Sequence, residues 1–372
     1  MGTTTGITWT QHTFNPHIGC LKISPECKNC YAAVDAPARI ARSKGVELWG
    51  PAESSTRQIT SDANWKLPLR WAGAARKRME RERVFCASQA DVFEDFPGLD
   101  AVRARLWQLI EATRDYLDWQ LLTKRPGNIK RMVPQKWLEE PPRGVWYGTT
   151  VGTQEAADKR MSELLDVPAQ VRFLSCEPLL EPITFDIDRM TPRFSHCPDD
   201  TGTDQEDSGC AGCLGNPLAY ANGGDHCGAQ WSGIHWVIVG GESGPKARPF
   251  NVTWARSIIA QCRTAGVPVF VKQLGAHPVN GDSPCKCGHT LTEHWLPFPA
   301  PCRHGHRPPP TTPREAVRLA MTPEPDGACP CIGFSPRDRD DVIVLNDRSG
   351  GDMAEWPEDL RIREFPSCVV ST

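Results

Sequence analysis

No stretch of apolar residues approaches the roughly 20 needed to cross a bilayer, so no membrane-spanning helix is expected. No apolar run follows a charged start either: Met1 to Gln11 is polar and carries Trp9, which argues against a secretory signal peptide. Charge of one sign is also lacking. The 372 residues hold 42 Lys plus Arg against 45 Asp plus Glu, a net charge of -3. Bulk charge therefore does not mark a nucleic-acid binder, although a local basic groove stays open. The length suits one large barrel-type domain or two ordinary ones. The 31 Gly and 34 Pro imply many loops, and the 39% apolar fraction still suffices for a sizeable core. A cytoplasmic location is expected. Thiols stay reduced there, so clustered cysteines read as metal ligands rather than disulfides.

Cysteine is what the chain has in quantity, with 16 residues. Three of them, Cys20, Cys27 and Cys30, are spaced C-x6-C-x2-C. Pro16 and Gly19 break the backbone before the first thiol and Pro25 before the second. Three converging thiolates on a loop suit an iron–sulfur cluster with one iron left free of protein ligand. The alternatives are a structural zinc completed by a distant fourth ligand, or unrelated buried thiols.

Short apolar runs, each ending in polar residues, recur along the chain. The run from Val84 ends at Gln89 and Asp91, that from Trp119 at Lys124 and Arg125, and that from Val145 at Thr149 and Thr150. The run from Val171 ends at Glu177 and Pro178, that from Ile234 at Glu242 and Ser243, and that from Val267 at Lys272 and Gln273. Such runs are strand candidates. Helical spacing separates several of them, over Leu99 to Tyr116, Gln154 to Leu165 and Val252 to Ala265. With an opening strand over Ile7 to Phe14, about seven β/α units result, which predicts an α/β fold with a partial or complete TIM-like barrel. In such barrels the chemistry sits at the C-terminal strand ends. The cysteine loop follows the first strand, so it falls on the same rim as the polar residues.

Two segments interrupt the alternation, so the barrel is assigned to 1–189 and 232–275. The insertion 190–231 carries Cys197, Cys210, Cys213 and Cys227, a spacing typical of structural zinc, with an auxiliary iron–sulfur cluster or free thiols as alternatives. The insertion 276–340 carries Cys285, Cys287, His289, His294, Cys302, Cys329 and Cys331, from which a zinc site could be drawn. The segment 341–372 reads as a last strand and turn that rejoin the main domain. The mixed-charge run Arg76 to Arg83 reads as a solvated helix face before a nucleic-acid contact. Cys86, Cys176, Cys262 and Cys368 are isolated and read as small buried apolar residues.

A set of motifs in order then resembles a known family. They are Trp9, Phe14-Asn-Pro-x-x-Gly-Cys20, Ser24-Pro-x-Cys27-x-x-Cys30-Tyr-Ala, Leu121-Leu-Thr-Lys-Arg-Pro126, Glu177-Pro-Leu-Leu, Val239-Gly-Gly-Glu-Ser-Gly-Pro-x-x-Arg248-Pro, Lys272-Gln273 and Met353-x-x-Trp-Pro357. The pattern is similar to a phage-associated, radical-SAM-like family of unresolved function, the phage protein Gp thirty-seven/Gp sixty-eight family. The resemblance implies a [4Fe-4S] cluster on Cys20, Cys27 and Cys30, with S-adenosylmethionine chelated at the open iron. It implies an external electron donor, such as a flavodoxin or ferredoxin. A phage context would fit a nucleobase, nucleotide or nucleic-acid substrate. By position at the rim, Glu177 and Glu242 are candidates for the cofactor amine or ribose, and Lys124 for a carboxylate. Asp91, Thr149, Thr150 and Lys272 could touch either ligand, and Asn15, Tyr31, Gly240 and Gly241 join the cofactor-binding set. Glu177, Glu242, Lys124 and Asp91 form the catalytic set. The alternative for each is a strand-end residue held in a salt bridge.

Two departures stand out. The first cysteine gap is six rather than three, and Asn29 replaces the usual aromatic before the last cysteine. Gly240-Gly241-Glu242 also follows a much later strand than the Gly-Gly-Glu of radical SAM enzymes. Two further readings compete with the redox enzyme. One is a zinc-stapled nucleic-acid-binding protein; the other is a metal-dependent hydrolase or nuclease using Asp91, Glu177 and Glu242, which lacks a His-rich rim.

Overall fold

The apolar runs pair into one parallel sheet. Its strands are β1 (His12–Thr13), β2 (Glu82–Cys86), β3 (Leu117–Thr123), β4 (Val145–Thr150), β5 (Val171–Cys176), β6 (Trp236–Gly240) and β7 (Val269–Gln273). Their spatial order is their chain order, β1 at one edge and β7 at the other. A computed structural model describes residues 5–194, 231–244, 246–281, 343, 345, 347 and 349–366. The insertion cysteines Cys197, Cys210, Cys213, Cys227, Cys285, Cys287, Cys302, Cys329 and Cys331, and His289, lie outside the described residues, as does Cys368.

The longer helices are α1 (Ala36–Ser43), α2 (Leu67–Arg78), α3 (Leu99–Thr113), α4 (Gln154–Leu165) and α5 (Val252–Thr264). The last four cover the outer face of the sheet, whereas α1 packs through Ala41 against Ile18 and Leu48 beside the thiol loop. In α3 the buried residues Leu99, Arg103, Leu106, Ile110 and Thr113 recur every three or four positions, which is one face of a helix. Thr153 caps α4 and Asn251 caps α5, each accepting from a backbone amide of the first turn. The charged run forms the end of α2 and the turn beyond it, where Arg78 pairs with Glu80 and Glu82, and Arg81 with Asp118.

Side chains alternate across each strand, so period two sorts them into two environments. Val84, Leu121, Tyr147, Leu174, Val237 and Val271 join the large cluster beneath the helices. Phe85, Trp146, Phe173, Trp236, Ile238 and Phe270 face the other way and form a second cluster with Trp9. That second cluster proves that the sheet is curled. Strands β2 and β6 are four positions apart, about 19 Å in a flat sheet. Yet Trp9 meets Phe85 of β2 and Trp236 of β6 at ring-centroid distances of 4.6 and 6.0 Å. The result is a seven-stranded half-barrel with an aromatic plug. It is a mixed α/β fold compatible with a TIM-like architecture. Gly148 is required by the plug, because a Cβ there would lie 2.2 Å from the Phe173 ring.

The opening segment departs from expectation. Only His12–Thr13 pairs with β2, because Trp9 turns inward to the plug and Thr10 donates its hydroxyl to the carbonyls of His12 and Arg83. The tail meets the sheet at residues 362–364. Val271 donates to the carbonyl of Ile362 (2.8 Å) and Glu364 to that of Val269 (2.9 Å), so the chain covers the open edge of β7. Trp356 is buried and donates its indole N–H to Gly350. No helix among the described residues is long and apolar enough to cross a membrane.

Replacing Trp236 by Ala empties the centre of the plug. We expect a loss of about 3–5 kcal/mol in stability, measured as a lower urea midpoint with an unchanged slope. A loss below about 1 kcal/mol would show that the plug does not hold the curl.

Candidate functional site

The C-terminal strand ends open onto a cavity of about 350 Å³, within the range of small-molecule sites. Its polar wall follows from strand alternation. Leu122 and Lys124, then Thr150, then Ser175 and Glu177, then Lys272 take the inward positions at successive strand ends, and all line it. Ile7, Trp9, Phe85 and Leu122 supply an apolar wall continuous with the plug. Cys20, Cys27 and Cys30 line the same space. No other cysteine and no histidine does so among the described residues.

The thiol loop has little regular structure, two single 3₁₀ turns over Pro25–Cys27 and Tyr31–Ala33, so side chains fix it. Gly19 enters it at φ +113°, and a Cβ there would lie 2.4 Å from the carbonyl oxygen of Leu48. The amide of Leu21 donates to Glu94 (2.7 Å), whose carboxylate also takes the buried Arg57 guanidinium at 2.7 and 2.8 Å. Arg125 donates to the carbonyl of Leu21 (2.9 Å), to Asp91 (2.8 Å) and towards the Cys20 sulfur (3.7 Å). Between the second and first thiols, the carboxylate of Glu26 accepts from the Gly152 amide (3.1 Å) and from Arg160 (3.0 Å). A Cβ on Gly152 would stand 2.2 Å from the Pro178 carbonyl oxygen, so only glycine lets Glu26 in this close. Asn29 donates to Glu242 (3.0 Å) and to the carbonyl of Lys246 (2.7 Å). Tyr31 spans the mouth, its hydroxyl donating to the carbonyl of Ser88 (2.7 Å).

The loop's thiols differ in acidity. Burial, reinforced by the Asp91 carboxylate, pushes the Cys20 thiol up to about 12, against the opposing charge of Arg125. Burial also opposes ionisation of Cys27, but the Lys124 ammonium and hydrogen bonds from the backbone at Ile23 and from Ser24 outweigh it and leave that thiol below its ordinary value. Glu26 and Glu242 are held below the usual carboxylate range despite burial. Ser24 and Arg160 do this for Glu26, and Arg248 and Asn29 for Glu242.

The structure brings most sequence-predicted residues to the cavity and separates their roles. Asp91 lines it, but its oxygens take Arg125, the Thr123 hydroxyl (2.7 Å) and the Lys124 amide (3.1 Å). Glu242 has both oxygens engaged by Arg248, with Asn29 on one of them. Glu177 pairs through Oε1 with Lys272 at 2.5 Å, and its Oε2 has no partner among the described residues. The ammonium of Lys124 has no carboxylate partner among them either. Thr150 and Gly241 line the cavity. Thr149 takes the outward position on β4 and donates to the carbonyl of Thr123, so it does not reach the cavity. Gly240 sits against Glu177, a Cβ there being 3.4 Å from that side chain. Asn15 lies behind the wall, accepting from the Gln89 amide (2.8 Å) and bonding Ser88. Among the described residues no three His, Cys, Asp or Glu side chains converge on a point fit for one metal ion.

Sequence reasoning overlooked Glu26, Arg57, Glu94 and Arg160, and named Asn29 and Arg125 without giving either a role in the site. One signal was available: Glu26 lies inside the cysteine spacing and Glu94 between Phe93 and Phe96, and charges in such apolar surroundings require partners.

Thiol chemistry of the metal-free protein tests this electrostatic arrangement. At pH 8 iodoacetamide should modify Cys27 faster than Cys20, because the thiolate is the nucleophile. Lys124→Met should slow Cys27 by several fold, as read by peptide mass spectrometry. Equal rates at Cys20 and Cys27 would contradict the assigned role of Lys124.

Neither the curated proteins nor the solved structures contain a match to this chain. One family model does match, over residues 4–306, spanning β1 through β7 and every residue of the cavity wall. The chain belongs to that family, which is described as Protein of unknown function (DUF5131).

Proposed function

We propose that the cavity is the active site of a radical SAM enzyme, with Cys20, Cys27 and Cys30 as ligands of a [4Fe-4S] cluster and the curled sheet as a barrel of that type. One observation carries this reading: among the described residues three thiols, without a fourth cysteine or a histidine, line one cavity of small-molecule size at the strand C-termini. Three thiolates satisfy three irons and leave the fourth for a non-protein ligand. A cluster gives each of the three sulfurs its own iron, whereas a structural zinc needs a fourth ligand beside the three thiols. When bound, such a cluster supplies the electron that cleaves S-adenosylmethionine, giving a 5′-deoxyadenosyl radical that takes hydrogen from the substrate.

The remaining demands fall on the chain's own side chains. Lys124 offers an unpaired ammonium to a carboxylate and stabilises the Cys27 thiolate. The free Oε2 of Glu177 accepts from an amine or a ribose hydroxyl, while Lys272 holds its other oxygen. Thr150 and Ser175 add hydroxyls to the same wall. Ile7, Trp9, Phe85 and Leu122 keep water from the reacting atoms. Glu242 and Asp91 act as positioning residues, because their oxygens are already committed to Arg248, Asn29 and Arg125. A phage context would fit a nucleobase, nucleotide or nucleic acid as substrate, and in this reading the electron comes from a flavodoxin or ferredoxin in a reducing cytoplasm. The insertion cysteines serve structural zinc in this reading.

Anaerobic reconstitution should give about four irons per chain and a brown protein. The Cys20, Cys27 and Cys30 triple alanine variant should hold none. With reductant and S-adenosylmethionine the reconstituted protein should release 5′-deoxyadenosine. Lys124→Met should keep its iron and lose affinity for S-adenosylmethionine by about tenfold or more, the scale of one lost charge-assisted contact. A colourless, iron-free wild type that yields no 5′-deoxyadenosine would end the proposal.

A further inference from the structure

The outer face of the thiol loop differs from the rest of the surface. The whole chain carries -3, yet between Leu21 and Glu47 the exposed charged side chains are Lys22, Lys28, Arg39, Arg42 and Lys44, against Asp35 alone. Asp35 is itself engaged, capping α1 and accepting from Gln89. Apolar side chains stand among these cations: Ile23 is 44% exposed, Val34 64%, Ile40 55% and Val46 39%. With Tyr31, this short segment supplies five of the eight large hydrophobic residues exposed among the described residues. Scattered single apolar residues are ordinary on a surface, but a concentration of them marks an interaction site.

Helix α1 is inverted in the same sense. Ala38 and Ala41 point inward, while Arg39, Ile40 and Ser43 share the exposed face at helical spacing from Ala36. The helix is fastened to the thiol loop, since Arg42 donates to the carbonyl of Ala33 (2.9 Å). Lys22 closes the loop on its other side by donating to the carbonyl of Lys28 (3.0 Å). One short segment thus presents thiols to the cavity on its inside, and cations with aliphatic groups to solvent on its outside.

Aliphatic groups ringed by charges are the anatomy of a protein interface, with an apolar centre and a polar rim. A surface for single-stranded nucleic acid would add aromatic stacking platforms. Here the aromatic is Tyr31, which is tied to Ser88, and Ile23, Val34, Ile40 and Val46 have nothing to offer a phosphate backbone. The excess of cations calls for an acidic partner.

We infer that this face docks an acidic one-electron carrier protein that reduces the group held by Cys20, Cys27 and Cys30, an inference that rests on the radical SAM reading. One electron passes from the reduced carrier, which is oxidised by one unit, to the iron–sulfur group, which is reduced by one. No bond is made or broken.

The test compares two reductants on anaerobically reconstituted full-length protein. Reduced flavodoxin serves as the acidic carrier and dithionite as the small reductant, with bleaching followed by stopped flow. The variants are Arg39→Glu/Lys44→Glu and Ile40→Asp, all exposed and outside the cavity, with Lys77→Glu on α2 as control. We expect the flavodoxin rate to fall about tenfold or more in the charge-reversed variant, and wild type to lose rate steeply with salt, while dithionite reduction stays unchanged in every variant. An unchanged flavodoxin rate would overturn the inference. So would weakened oligonucleotide binding with unchanged flavodoxin reduction, which would make the face a nucleic-acid surface. If wild type takes up no iron, the radical SAM reading is what fails. Docking is then judged by titration calorimetry with flavodoxin, where the charge-reversed variant must bind about tenfold more weakly for an acidic partner surface to stand.

Discussion

The hydrogen bond from the Leu21 amide to Glu94 is the contact on which the site depends. The carboxylate that accepts it is out of solvent and paired with an equally buried Arg57, whose remaining donors hold the carbonyls of Leu48, Gly50 and Thr56. Removing one partner of such a pair leaves an uncompensated buried charge, which costs about 3–5 kcal/mol. What the pair confers is position. It sets the backbone beside Cys20 against the loop that follows β2, and Arg125 grips the carbonyl of the same residue, Leu21. Carboxylates also fix the loop at Cys27 and Cys30: Glu26 reaches from the loop to the amide of Gly152 beyond β4, and Glu242, just beyond β6, accepts from Asn29. A loop without strand or helix must satisfy its polar backbone and fix its path through side chains. Here Glu94 takes the loop's Leu21 amide, and Glu26 and Glu242 help fix its path.

The loop could not face the strand ends if the sheet were flat. The curl gathers inward positions from successive strands around one axis, and the plug of Trp9, Trp236, Phe173 and Phe270 fills that axis below the cavity. The cavity is the part of the axis that aromatic rings leave unfilled. Its chemistry changes with height. Apolar contacts lie next to the plug; Lys124, Glu177 and Lys272 come where the strands end; the thiols lie where the loop folds over. A ligand with an apolar or stacking portion and a charged end fits that gradient.

Much of this was legible in the chain. The alternation of apolar runs and helical spacing gave seven strands, and α4 runs from Gln154 to Leu165 as the pattern predicts. Rim residues could be named because strand ends in parallel α/β sheets share one side. Roles were less legible than positions. Asp91, Glu177 and Glu242 look alike as strand-end carboxylates, yet Glu177 keeps one oxygen free while the others are committed to arginines. The replacement of an aromatic by Asn29 looked like a departure without a purpose, and its amide proves to tie the loop to Glu242. Thr149 and Thr150 are neighbours that strand alternation places on opposite faces, a distinction that needs the register and not just the run.

The sequence by itself determined the period-two strands, the helical faces, the spacing of three thiols and the side of the sheet on which they would lie. These are local properties, set by residues within a few positions of one another. The tertiary structure decided which charge meets which. Arg57 with Glu94, Glu26 with Arg160 and Asn29 with Glu242 are separated by 37, 134 and 213 positions. No local preference encodes such pairs. They form because the curl brings the strand ends together, and because a charge removed from water must find its partner wherever the fold supplies one.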